Sequence, residues 1–135
     1  MTTDATFEQF GLPPEILQGI QDAGFSNPSP IQELAIPVVM EGRDLIAQAR
    51  TGTGKTAAFG LPAMGRLLAS GFKPSKAAGV KILVMTPTRE LAMQVSDELF
   101  KLGRHGGMRT VAVYGGQSSL RQVELINLGS PIVVA

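Results

Sequence analysis

Cysteine is absent from all 135 residues, which excludes a disulfide framework and any thiolate metal site. Tryptophan is absent too, tyrosine and histidine each occur once, and aromatics make up 5% of the chain. A catalytic or metal site built from several histidines is therefore excluded. The single histidine, His105, falls in a Gly-rich turn and is expected to be solvated. Charged residues account for 17%, below the roughly 25% of an average soluble chain. Even so, no uninterrupted apolar run reaches the ~18 residues of a membrane span. Residues 1–6 form neither a basic nor an apolar leader, so no secretory signal is expected and the cytoplasm is the expected compartment. Lys and Arg are missing altogether from residues 1–42, which carry six acids. All twelve basic residues follow, against five acids, a net +7 over residues 43–135. Basic character thus begins where the strongest motif begins, although an ordinary solvated surface would give the same count.

That motif is Ala49-Arg50-Thr51-Gly52-Thr53-Gly54-Lys55-Thr56, between the apolar run Leu45-Ile46-Ala47 and a helix-like segment. Strand, Gly-rich loop and helix are the context of a phosphate-binding P-loop. Glycines let successive backbone N–H groups converge on a phosphate, and the helix N-terminus adds partial positive charge there. Lys55 would reach the β- and γ-phosphates, and the Thr56 hydroxyl would bind Mg²⁺. Ala49 stands where the general pattern has its first Gly. A plain Gly-rich turn with a surface lysine is the alternative.

Residues 1–42 read as a helical segment. One helix starts at Pro13-Pro14 and ends at Gly24, and a second has Ser29 as N-cap and Pro30 at its first position. Pro37 should kink or shorten the second. Residues 43–135 alternate strand and helix. Strands are expected at Leu45–Ala49, Val80–Thr86, Thr110–Tyr114 and Ile132–Ala135. Helices are expected from about Lys55 (bent or broken at Pro62), over Arg89–Leu102, and over about Ser119–Leu128. Apolar strands separated by helices imply an α/β fold with a parallel sheet covered on both faces. Ligands of such sheets bind beyond the strands' C-terminal ends, and the P-loop, Pro87-Thr88-Arg89 and Gly115-Gly116-Gln117 all follow strand ends.

Three further groups carry chemistry. Gly24–Gln32 follows Phe7 upstream. A glutamine amide can accept from N6 and donate to N7 of adenine, and a phenylalanine ring can stack on the base. Ser29-x-x-Gln32 also fits a capping box, so Gln32 has two readings. Pro87-Thr88-Arg89-Glu90-Leu91-Ala92 places a capping Thr and an Arg at a helix start, where a phosphate can be held. An ordinary capped helix is the competing account. Gly115-Gly116 lets backbone approach a ligand closely, or is simply a turn.

Together these groups resemble the DEAD-box RNA helicases. Gly24–Gln32 with Phe7 is similar to that family's Q motif, and Ala49–Thr56 to its motif I, including the Ala. Pro87–Ala92 is similar to motif Ia and Gly115-Gly116 to the GG motif. The resemblance runs from Phe7 to Ala135 and implies a RecA-like P-loop NTPase domain, a three-layer sandwich, of which about four strands are present. The 1–42 and 43–135 segments would together form part of that one domain. The implied activity is ATP-dependent remodelling of RNA, with ATP and Mg²⁺ as cofactors and a second RecA-like domain as partner. Phe7 would stack on adenine and Gln32 would read its edge. Ala49, Arg50, Thr51, Gly52, Thr53, Gly54, Lys55 and Thr56 would cradle the phosphates and the metal. Pro87, Thr88, Arg89, Gly115, Gly116 and Gln117 would meet the RNA backbone, predicting little sequence preference.

The family's Thr-Pro-Gly-Arg, Asp-Glu-Ala-Asp and Ser-Ala-Thr motifs do not occur in these residues, and in the family the corresponding strands flank the P-loop strand. Hydrolysis needs a strand-end carboxylate for Mg²⁺ and a group to orient water. The acids after the P-loop are Glu90, Asp97, Glu98 and Glu124, all on predicted helices. These 135 residues are therefore expected to bind nucleotide without hydrolysing it or unwinding RNA. A stand-alone ATP-binding module without turnover is the alternative function. Another kind of P-loop enzyme would leave Phe7 and Gln32 unexplained.

Overall fold

The structure is a computed structural model, and it describes residues 5–50, 52, 54–73, 75–76, 78–116 and 118–135. Five α-helices and three strands follow one another: α1 (Pro14–Asp22), α2 (Pro30–Met40), α3 (Lys55–Ala69), β1 (Ile82–Val84), α4 (Arg89–Gly103), β2 (Thr110–Ala112), α5 (Ser119–Asn127) and β3 (Ile132–Val134). Single 3-10 turns precede α1 (Phe7–Phe10) and follow α4 (Arg104–Gly106).

All three strands are parallel, in the order β1-β3-β2. Leu83 aligns with Val133, and Val133 with Val111. Side chains alternate along a strand, so Ile132 and Val134 point one way into the core, with no exposed surface. They meet Leu99 and Leu102 of α4, Leu61 and Met64 of α3, and Ile16 and Ile20 of α1 in one cluster. Phe7, Leu12 and Ile36 belong to the same cluster, so residues before and after position 42 share a single core. Each such side chain contributes about 1.5–3 kcal/mol on burial. On the opposite sheet face Val111 and Val133 are buried, while Leu83 of β1 is 63% exposed. Cover on that face is therefore partial.

One expected strand is absent. Residues 43–50 have no regular structure, and Ile46 is fully exposed. Leu45 and Ala47 lie instead over α2 and α3, against Ile31, Ala35, Val39, Ala58 and Phe59, around an apolar hollow of about 350 Å³. A strand exists only where a neighbour completes its hydrogen bonds. Among the described residues β1 pairs with β3 alone, and no strand stands between β1 and this segment. The sheet thus holds three strands rather than four, and each is shorter than expected.

Neither internal proline breaks its helix. Pro62 lies within α3, fully buried, and Pro37 within α2. Tertiary packing offsets the missing hydrogen bond in both cases. Helix starts follow the expected chemistry. Thr88 accepts from the Leu91 N–H (3.1 Å) at α4, and Ser118 from the Arg121 N–H (3.3 Å) at α5. The α1–α4 contact depends on a missing side chain, since a Cβ on Gly19 would stand 2.0 Å from the Leu102 carbonyl oxygen. His105 is not a free solvated ring. With Arg104 it holds Asp22 at the end of α1, the arginine at 3.1 Å. Hydrogen bonds from His105, Gln18 and Arg104 lower the Asp22 pKa to about 2.

Candidate nucleotide and RNA site

The P-loop enters α3 through two glycines in the left-handed region, Gly52 (φ +82°) and Gly54 (φ +84°). Gly54 is the N-cap of α3, so Lys55 and Thr56 occupy its first turn. Ala49 is half-buried and Arg50 exposed. Thr51 and Thr53 lie outside the described residues, as does Gln117.

Gln32 ties the loop to the N-terminal helices. It is buried, 4% exposed. Its Oε1 accepts from the Ser29 N–H (2.9 Å), completing the capping box of α2. Its Nε2 donates to the Gly54 carbonyl (3.2 Å). A Cβ at Gly54 would stand 2.2 Å from that nitrogen. The capping reading of Gln32 therefore holds, and the same amide reaches the P-loop. Because a glutamine amide carries two donor hydrogens and two acceptor lone pairs, a cap does not preclude an adenine edge.

Phe7 is buried in the core cluster. Its ring is 2% exposed, stacked on Phe25 (6.4 Å, 26°) and edge-on to Phe10 (6.3 Å). Phe25, in front of it, lines the cleft that also holds Gly52, Gly54, Lys55 and Thr56. That cleft, about 610 Å³, continues to Pro87, Leu91, Gln94 and Glu98 of the β1–α4 region. Its size suits a small-molecule ligand.

Glu98, set aside in the sequence because it falls on a helix, lines this cleft. Burial raises its pKa, and a hydrogen bond from the Thr56 hydroxyl acts against the rise. Helical spacing could have found it, because position 98 shares a face with Leu91 and Val95. The hydroxyl and the carboxyl are hard oxygen donors, the chemistry Mg²⁺ selects. Among the described residues no group of three or more His, Asp or Glu could hold a metal. An ion here would thus depend on Thr56 together with nucleotide phosphates and water.

The expected RNA residues also come together. Thr86, Pro87, Thr88, Arg89, Tyr114 and Gly115 line a second hollow of about 340 Å³ beyond the ends of β1 and β2. Gly116 (φ +85°) lies beside the Arg89 guanidinium, whose Nη1 would be 3.4 Å from a Cβ there.

The DEAD/DEAH box helicase family model matches residues 29–135, well over half of the chain. The chain belongs to that family. DEAD-box ATP-dependent RNA helicase RhpA of Helicobacter pylori is 52% identical over 130 residues, 96% of this chain and 25% of its own. DEAD-box ATP-dependent RNA helicase CshA of Streptococcus pneumoniae is 45% identical over 128 residues, 95% of this chain and 23% of its own. The chain thus spans about a quarter of the length of these curated relatives. Among solved structures, a DEAD box protein from Methanococcus jannaschii superposes with TM-score 0.81 at 33% identity, covering 96% of this chain and 34% of the other. The RNA-helicase Prp28 from Chaetomium thermophilum, bound to ADP, gives TM-score 0.82 at 38% identity, covering 96% and 31%. The DEAD-box fold here is therefore RecA-like, with three parallel strands described. Among the described residues no helix is long and apolar enough to cross a membrane.

Proposed function

We propose that these residues are the ATP-binding N-terminal portion of a DEAD-box RNA helicase, which couples ATP binding and hydrolysis to local opening of RNA duplexes. The observation that carries this reading is the Gln32–Gly54 hydrogen bond, which joins an adenine-reading side chain to a phosphate-binding loop. Ala49 to Thr56 cradle the phosphates, with Lys55 at the β- and γ-phosphates and Thr56 on Mg²⁺. The metal would offset phosphate charge, and Glu98 would hold the Thr56 hydroxyl in place. Gln32 reads adenine. Phe7, packed against Phe25, supplies the aromatic ring for the base. Pro87, Thr88, Arg89, Gly115, Gly116 and Gln117 meet RNA sugar and phosphate, so affinity falls with salt and varies little with sequence. A second RecA-like domain, as in longer DEAD-box relatives, would close over the same cleft.

Glu98 is the carboxylate that lines the cleft among the described residues, and it lies on α4 rather than at a strand end. On that ground residues 1–135 alone bind nucleotide without turnover. Titration of labelled ATP into wild type and Lys55→Ala tests the phosphate role. The variant should bind at least tenfold more weakly, and unchanged affinity would remove Lys55 from the site. RNA-stimulated phosphate release by purified residues 1–135 would refute the claim of inactivity.

A further inference from the structure

Arg89 is held by a residue outside the motifs. Its guanidinium carbon lies 5.8 Å from the ring centroid of Tyr114, within cation–π range. Tyr114 in turn is fixed through its backbone. The Gln122 side chain, reaching from α5 and only 7% exposed, donates to the Tyr114 carbonyl at 2.9 Å. Gly115 and Gly116 follow directly, with Gly116 against the same guanidinium. Two loops after two different strands are thereby brought together: Gln122 bonds the Tyr114 backbone, the Tyr114 ring faces Arg89, and Gly116 lies beside the same guanidinium.

We propose that Tyr114 and Gln122 are positioning residues for RNA, holding Arg89 and the Gly115-Gly116 turn as one phosphodiester-binding cup. The proposal rests on the RNA reading of this rim. An arginine loses much side-chain freedom when it clamps a phosphate. A ring that already restrains the guanidinium lowers that cost before RNA arrives. Gln122 serves by fixing the turn whose N–H groups would face the same phosphate. Without it the turn loses the side-chain bond that ties it to α5.

The test uses the 135-residue chain and a fluorescein-labelled ten-nucleotide oligouridylate, followed by anisotropy at low salt. Arg89→Ala should weaken binding, which checks the RNA reading itself. Tyr114→Leu should weaken it about two- to five-fold, and Tyr114→Phe should restore it. In the Arg89→Ala background, Tyr114→Leu should add nothing. A second measurement needs no substitution. Tyr114 is the only tyrosine and there is no tryptophan, so its emission reports this cup alone. Unlabelled RNA should change that emission with the same midpoint as the anisotropy, and Gln122→Leu should weaken both signals. If Arg89→Ala weakens binding while Tyr114→Leu matches wild type, or Tyr114 emission stays flat as RNA binds, the positioning role is overturned and the RNA reading stands. If Arg89→Ala binds as wild type, the RNA reading of this rim falls and the proposal falls with it.

Discussion

Replacing Gln32 by methionine conserves volume and removes both hydrogen bonds of the amide. One goes to the Ser29 N–H at 2.9 Å and one to the Gly54 carbonyl at 3.2 Å. Each such bond contributes about 1 kcal/mol, so the variant should lose about 2 kcal/mol of folding stability. For a domain of this size that corresponds to a melting temperature lower by roughly 6–10 °C. The loss has two parts. The Ser29 bond stabilises α2 alone, whereas the Gly54 bond ties α2 to the N-cap carbonyl of α3 inside the P-loop, which also accepts from the Ala58 N–H at 3.0 Å. Releasing the latter frees the loop, so about 1 kcal/mol of ATP affinity, roughly fivefold, should go as well. Thermal unfolding followed by circular dichroism, with and without ATP and Mg²⁺, measures both. Gln32→Met melting within about 1 °C of wild type would refute the link between the two segments. A lowered melting temperature with unchanged ATP affinity would reduce Gln32 to a helix cap.

Two further outcomes follow from the packing and the charges. Gly19→Ala must push α1 away from the Leu102 carbonyl, 2.0 Å from the new Cβ, and should cost on the order of 2–3 kcal/mol in denaturant titration. An unchanged midpoint would mean that the α1–α4 contact is slack. Asp22 has a folded pKa of about 2, below its ordinary value of 3.8. Its stabilising effect is therefore complete above pH 3.8 and is lost as pH falls towards 2. Asp22→Asn should flatten the acid limb of a stability–pH curve in that window, and a superimposable limb would remove Asp22 from the account.

Local chemistry made much of this fold legible. Thr88 caps α4 as its side chain demands, and Leu91, Val95, Leu99 and Leu102 fall on one face of α4 at helical spacing. The order of the three observed strands among the helices was also legible. What failed depended on partners. Leu45–Ala49 reads as a strand by composition, but a strand needs a ladder, and in this sheet β1 offers none to it. Pro37 was expected to kink or shorten α2 and Pro62 to bend or break α3, and neither interrupts its helix because packing carries the chain past it. His105 reads as solvated because Asp22, its partner, lies 83 residues away. In the candidate site, Gly52, Gly54, Lys55 and Arg89 were visible from motif spacing. Glu98, Tyr114 and Gln122 were not, because their importance comes from contacts to Thr56, Arg89 and a backbone carbonyl that only the fold creates.

The central claim is that Gln32 and the P-loop form one adenine nucleotide site. Isothermal titration of ATP and, separately, GTP into residues 1–135 with Mg²⁺ tests it most directly. The account predicts saturable one-to-one binding of ATP and at least tenfold weaker binding of GTP. Equal affinities for the two nucleotides, or no saturable binding of either, would contradict it.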